Sequence, residues 1–162
     1  MVSEPLFNAA FEKVCNEFAI PITLHKKIHK VILKNQNDPR TASKMVAEIL
    51  PFNWVHESIS PILLGENKND FSKEHVSFFV SRIVRIHRIY EQWERIQRTK
   101  KTLPYLLLSR GTTLQNCPVH KDDYDKIFSV DDEYWITHPI AEHLICSCTI
   151  RGMTDLELNN RR

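Results

Sequence analysis

An α+β fold is predicted: a mainly helical N-terminal part, one long central helix, and a small C-terminal antiparallel β element for which zinc is the expected clamp. Three observations predict it. Apolar residues recur at steps of three and four through the first hundred positions, the signature of one-faced helices. After Lys101 short apolar runs bounded by proline and glycine take over, as strands require. Three of the four cysteines and three of the eight histidines then crowd between Cys117 and Cys148. With 162 residues the chain is long enough to bury a self-sufficient interior. The expected organisation is a helical region over 1–71, with no role assigned, followed by a unit over 72–162. That unit comprises a long helix, 72–99, and a Cys/His knot, 103–158.

Ser3 is placed to cap a first helix with Pro5 in its opening turn, and Leu6, Ala10, Val14 and Phe18 form its apolar stripe up to Pro21. A second helix starts near Leu24, with Leu24, Ile28, Val31 and Ile32 on one side, and stops before Asn35-Gln36-Asn37-Asp38-Pro39. A third, from about Thr41 to Leu50, carries Met45, Val46, Ile49 and Leu50. Trp54, Ile59, Ile62, Leu63 and Leu64 supply further core anchors, and Gly65-Glu66-Asn67-Lys68-Asn69-Asp70 is the best candidate boundary. Ser72 then opens the longest helix, whose stripe is Val76, Phe79, Val80, Ile83, Ile86, Tyr90, Trp93 and Ile96 or Gln97. Its expected wet face holds Arg82, Arg85, Arg88, Arg95 and Arg98. Strands are expected at Leu103–Leu108, Lys126–Val130 and Leu144–Ile150.

The knot opens with Cys117-Pro118-Val119-His120 and closes with His138 and the run His143-Leu144-Ile145-Cys146-Ser147-Cys148. A C-x2-H turn can fold two side chains onto one ion, and C-x-C on a strand would turn both thiols to the same face. One zinc held by Cys117, His120, Cys146 and Cys148 is the expected arrangement, with His138 or His143 substituting if a thiol points away. The alternative is that Cys146 and Cys148 are small buried residues of a core strand and the histidines ordinary loop residues.

The formal charge is only +2, from 22 basic and 20 acidic residues, so the chain as a whole does not announce a nucleic-acid binder. The charges are unevenly spread, with a basic excess from Lys73 to Lys101 and an acidic one from Cys117 to Leu158. The five arginines of the long helix are therefore candidates for contact with a partner or with nucleic acid. Any such nucleic-acid contact is expected to be non-specific, because no base-reading element accompanies them. The chain has three glycines and no GxSxG, P-loop or HExxH, which argues against phosphate-cradling and hydrolytic enzymes. No run approaches the ~18 apolar residues of a membrane span. The start Met1-Val2-Ser3-Glu4-Pro5 lacks the layout of a secretory signal, so a cytosolic site of synthesis and reduced cysteines are expected.

Leu103-Pro104-Tyr105, Cys117-Pro118-Val119-His120, Ile127-Phe128, the segment from Asp131-Asp132-Glu133-Tyr134-Trp135 to Ile136-Thr137-His138-Pro139, Cys146-Ser147-Cys148 and Met153-Thr154-Asp155-Leu156-Glu157-Leu158 follow one another in a definite order and spacing. Together they resemble the C-terminal domain of the Mu F-like phage head morphogenesis (minor head) proteins, over about residues 72 to 158. The resemblance implies that Cys117, His120, His138 or His143, Cys146 and Cys148 are signature polar positions. It also implies other phage head or portal proteins as partners, with a location in the bacterial host cytoplasm or in the virion. Three departures stand out: Ser147 where arginine is usual, Tyr124-Asp125 in place of an Asp-Gly turn, and Ile140-Ala141-Glu142 in place of a Pro-Pro-Asn-Gly-Trp-like loop. Residues 1–71 carry no part of the resemblance. The function expected is that of a non-catalytic structural or interaction protein of a phage or prophage. The alternatives are a metal-dependent nuclease using Asp131 and Asp132, and a toxin-associated binding module of a mobile element.

Overall fold

The computed structural model describes residues 3–51, 71–112 and 115–161. The anchors from Trp54 to Leu64 and the boundary expected at Gly65–Asp70 lie outside the described residues. The fold is α+β, with the helices and a three-stranded antiparallel sheet in the order expected. No described helix is long and apolar enough to cross a membrane. The chain divides into two compact units, Met1–Arg88 and Ile89–Arg162, and the division falls inside the long helix.

In the first unit, helix α1 (Glu4–Glu17) buries Phe7, Ala10, Phe11, Val14 and Cys15. The buried stripe thus runs through Phe7 and Phe11, with Leu6 only half-buried. Ser3 stands at the N-cap without a side-chain bond, and its carbonyl accepts from the Phe7 amide instead. The helix ends as Ala19 enters the left-handed region at φ 50°, just ahead of Pro21. Helix α2 (Ile22–Lys34) buries Ile28 and Ile32. Helix α3 (Pro39–Ile49) begins two residues earlier than its apolar pattern suggested, because Asp38 caps it by accepting from the Thr41 amide at 3.1 Å and Pro39 fits the first turn.

Helix α4 (Phe71–Thr99) is the longest element. Between His75 and His87 it buries His75, Val76, Phe79, Val80, Arg82, Ile83, Val84, Ile86 and His87, more than a single stripe could supply. Phe79 meets Phe18 edge-on at 5.5 Å, and His87 meets Phe7 in the same way at 5.5 Å. Arg82 corrects the expectation of a wet arginine face. It is 3% exposed and pairs through two bonds with Glu17 of α1, Nε to Oε2 at 2.6 Å and Nη2 to Oε1 at 2.9 Å. Because His75, Arg82 and His87 are buried on this stretch of α4, their polar groups need hydrogen-bond partners away from bulk water.

The second unit holds the end of α4 and the sheet, ordered β2-β1-β3, with β1 (Tyr105–Ser109), β2 (Ile127–Ser129) and β3 (Thr149–Met153). Leu106 stands opposite Phe128 on one side and Gly152 on the other, and Leu108 stands opposite Ile150. Alternation along β1 and β3 therefore sends Leu106, Leu108 and Ile150 into one core with Ile96, Val130 and Trp135. Trp93 is half-buried against that core, and Tyr90 is half-buried as well, so neither is as enclosed as the stripe implied.

The third strand corrects its expected bounds. It begins at Thr149, and Cys146 to Cys148 form an irregular lead-in that leaves their side chains off the sheet's alternation. Two short helices went unanticipated: α5 (Tyr134–Thr137), and α6 (Asp155–Asn160) with a capping box in which Thr154 and Glu157 bond each other's amides.

Candidate metal centre

Cys117, Pro118, Val119 and His120 form one tight turn, closed by the Lys121 amide donating to the Cys117 carbonyl at 3.0 Å. It is continued by the Asp123 amide donating to the His120 carbonyl at 2.9 Å. A second turn, with the Cys146 amide donating to the His143 carbonyl at 2.9 Å, brings the C-x-C segment alongside. Ala141 precedes that turn in the left-handed region at φ 63°, which reverses the chain after α5. The loop after β1 lies so close that a Cβ on Gly111 would run into the Ser147 carbonyl. Glycine is required there by close approach rather than by its dihedral angles.

These turns bring Cys117, His120, Cys146 and Cys148 together, all buried, with one ligand atom from each inside a group whose members lie within 4.8 Å of one another. The four side chains are close enough to hold a metal ion. His120 Nδ1 lies 3.3 Å from Cys117 Sγ and 3.6 Å from Cys146 Sγ. A tetrahedral ion with sulfur at about 2.3 Å and nitrogen at about 2.0 Å sets such neighbours roughly 3.5 Å apart, so this side of the group already has the required spacing. His120 Nε2 faces the His138 carbonyl at 3.0 Å. A carbonyl only accepts, so Nε2 carries the proton, and in the neutral ring Nδ1 keeps its lone pair towards the thiols.

The electrostatics fit a site made for a cation. Burial alone would push the His120 pKa down, but the hydrogen bonds to Cys146, to the His138 carbonyl and to Cys117 lift it to about 9. Burial likewise opposes ionisation of Cys146, yet His120 and the Ala141 and Cys148 amides outweigh it and draw the thiol down. The Ala141 amide donates to Cys146 Sγ at 3.4 Å. Cys148 is pushed up by burial and by the neighbouring thiols of Cys146 and Cys117. The ionised Cys146 thiol is thus balanced by the protonated His120 ring, and a metal ion at this point would take the place of that ring proton. Tyr124 closes one side, its hydroxyl accepting from the Cys117 amide at 3.0 Å.

His138 and His143 stand outside the group. His138 stacks its ring on Tyr134 and bonds Thr137 Oγ1 through Nδ1, while its backbone serves His120. His143 Nδ1 accepts from the Ile145 amide at 3.3 Å. Cys146 and Cys148 also belong to the apolar core with Leu106 and Ile150, so the ligand and core readings describe the same side chains seen from two sides. Of the arginines expected to make contacts, Arg88, Arg95 and Arg98 are exposed, Arg85 is half-buried, and Arg82 is enclosed with Glu17. Asp131 and Asp132, the carboxylates of the nuclease alternative, have structural partners, and so does Asp123 nearby. Asp131 pairs with Lys100, Asp132 accepts from the Tyr134 amide, and Asp123 is held below the usual carboxylate range chiefly by Lys126. Sequence reasoning missed Tyr124 and Tyr134, since an aromatic beside acidic loop residues carries no ligand signature.

Cys15 is a different kind of thiol: burial first, and Glu12 second, push it up to about 12. With metal bound, none of the four thiols is expected to react with iodoacetamide under native conditions. After chelation Cys117, Cys146 and Cys148 are expected to label within minutes while Cys15 stays protected until denaturant is added. Peptide mass mapping reads the pattern, and labelling of Cys15 first would contradict it.

Comparison with family models, with curated proteins and with solved structures finds no match to the chain.

Proposed function

We propose that the chain is a non-catalytic structural or interaction protein of a phage or prophage, of the minor head (head morphogenesis) type, with the Cys/His group as a structural zinc site. The observation that supports a structural role for the metal is the ligand set: three thiols and one imidazole, all buried and close enough to hold one ion, are the number and kind of ligands that fill a structural tetrahedral zinc shell. Thiolate-rich sets with one imidazole favour zinc over the harder cations that prefer oxygen. The ordered motifs from Leu103 to Leu158 supply the phage assignment, and the elements that carry them build this one unit. A cavity of about 220 Å³ in the same unit, lined by Gln92, Arg95, Ile96, Leu103, Leu106 and Ile150 among others, involves none of the four ligands. That separation also favours a structural role for the metal.

The partners implied are other head or portal proteins, with non-specific DNA contact left to the exposed Arg88, Arg95 and Arg98. Binding of that kind weakens steeply with salt. Two measurements test the reading. Elemental analysis of protein purified without added metal is expected to give one zinc per chain. Mass spectrometry of particles released from a host carrying the gene is expected to find the chain among the head components, and its absence from heads at every assembly stage would overturn the phage reading.

Zinc affinity is expected to rise with pH. The sign follows from His120: its pKa of about 9 means that below pH 9 a proton occupies Nδ1 and competes with the ion. Cys148, pushed up as well, must also lose its proton on binding. Affinity should therefore climb between pH 6 and pH 9, by about tenfold per pH unit for each proton displaced. Calorimetric titration in two buffers of different ionisation enthalpy counts those protons; affinity independent of pH would refute the assignment.

A further inference from the structure

The Cys117–Cys148 region contains a second arrangement that the four ligands do not explain. Phe128 of β2, Tyr134 at the start of α5 and His138 just after α5 form a continuous parallel ring stack. Phe128 and Tyr134 lie 3.9 Å apart at 7°, and Tyr134 and His138 lie 4.4 Å apart at 6°. Trp135 closes the stack edge-on against both Phe128 and Tyr134, at 5.6 Å and 5.1 Å, and anchors itself through Nε1 on the Ser129 carbonyl at 2.8 Å. Parallel stacking of three rings held by a perpendicular fourth is a rigid assembly, worth more than the area it buries.

Tyr134 is the centre of it. Its hydroxyl donates to Asp123 Oδ2 at 3.0 Å, and Asp123 belongs to the turn that carries His120, its amide donating to the His120 carbonyl. Its own carbonyl accepts from the His138 amide at 2.8 Å, so the backbone of His138 is fixed from the α5 side. Its ring also flanks the His120 imidazole directly, with centroids 6.4 Å apart. The His138 carbonyl, held in this way, is the group that accepts from His120 Nε2.

From this geometry we infer that Tyr134 is the positioning residue of the metal centre: stacked between Phe128 and His138, it aims the His138 carbonyl at His120 Nε2 and so keeps Nδ1 facing the thiols. His138 thereby serves the metal with its carbonyl and its stacked ring, not as a ligand. Removing an outer partner of a ligating histidine lowers metal affinity by roughly 10–100-fold in comparable sites. The inference rests on the metal reading above, and the test separates the two.

The test uses the full chain, zinc competition against a chromophoric chelator, and the ligand-field spectrum of the cobalt(II)-loaded protein. Tyr134→Phe keeps the stack and loses only the Asp123 bond, so its zinc affinity is expected within about threefold of the parent. Tyr134→Ala removes the centre of the stack and is expected to bind roughly 10–100-fold more weakly. Its cobalt spectrum should lose the imidazole contribution, which general loosening of the fold would not do selectively. His138→Phe, which retains a stacking ring, is expected to match the parent, and His138→Ala to weaken binding in the same direction as Tyr134→Ala. His138→Ala carries the test if Tyr134→Ala fails to fold. Ring-nitrogen NMR of the zinc-loaded parent should find His120 protonated at Nε2 with Nδ1 on the metal. Affinities of the alanine variants within threefold of the parent, with unchanged cobalt spectra, overturn the positioning role while leaving the metal site standing. A parent chain that binds no zinc overturns both.

Discussion

Cys146→Ser is expected to cut zinc affinity by more than the roughly 10–100-fold attributed to an outer partner, since it removes a bond to the ion itself. At saturating metal a hundredfold loss withdraws about 2.7 kcal/mol of stabilisation from the folded state. The loss should fall on the unit from Ile89 to Arg162, because its core is built around the ligands: Cys117, Cys146 and Cys148 pack with Leu106, Leu108, Trp135 and Ile150. A chelator should reproduce the effect in the parent chain. The expected readout is loss of the near-ultraviolet signal of residues 103–158 together with retention of the helical far-ultraviolet signal from α1 to α4. Identical thermal unfolding of the parent with and without chelator would mean that apolar packing alone holds the unit.

The second large effect is expected in the other unit, at Arg82 and Glu17. Arg82 is 3% exposed and Glu17 23%, so the two partners are unequal. Removing the carboxylate takes two bonds from a guanidinium that is kept from water, whereas removing Arg82 leaves a carboxylate that reaches water and Lys13 at 3.4 Å. Breaking a buried pair from one side costs about 3–5 kcal/mol, and the partial exposure of Glu17 argues for the lower end. Glu17→Gln is therefore expected to cost about 3 kcal/mol and Arg82→Met clearly less, with the double replacement Arg82→Met, Glu17→Leu close to the parent. Urea unfolding of the four chains checks it. Equal costs for the two single replacements would show that the pair is solvated in practice.

The fold class and the ligand group were legible in the sequence for the same reason: both depend on local spacing. Steps of three and four announced the helices, and C-x2-H and C-x-C announced turns that could converge. What local spacing could not convey was the environment of each face. Arg82 reads as solvent-facing because arginine usually is, and local spacing gives no sign of the two bonds it makes to Glu17, 65 positions away. The third strand was misplaced by five residues because Leu144-Ile145 has strand composition, although the turn that brings Cys146 to the Cys/His group claims that stretch. The cap at Thr154-x-x-Glu157 was readable in principle, since threonine followed three residues later by glutamate is the pattern of a capping box. The Tyr134 stack was not, because its partners come from a strand, a helix and the residue beyond it.

The two ligand turns face each other across a long excursion, His120 and Cys146 being 26 positions apart, with β2 and α5 lying between them. A metal that joins them closes this excursion into a ring, and the entropy of ring closure grows only with the logarithm of its length. Doubling the ring costs about 0.6 kcal/mol. Extra residues entering at its solvent side should therefore be nearly free, while one inserted inside Cys117–His120 or Cys146–Cys148 changes the bite of the chelate and should abolish it. At the rim, where Gly111 touches Ser147, not even a methyl group can be added without displacing backbone. Chain length and chain identity are thus constrained in different places: the ring can lengthen during divergence, and its two clasps cannot.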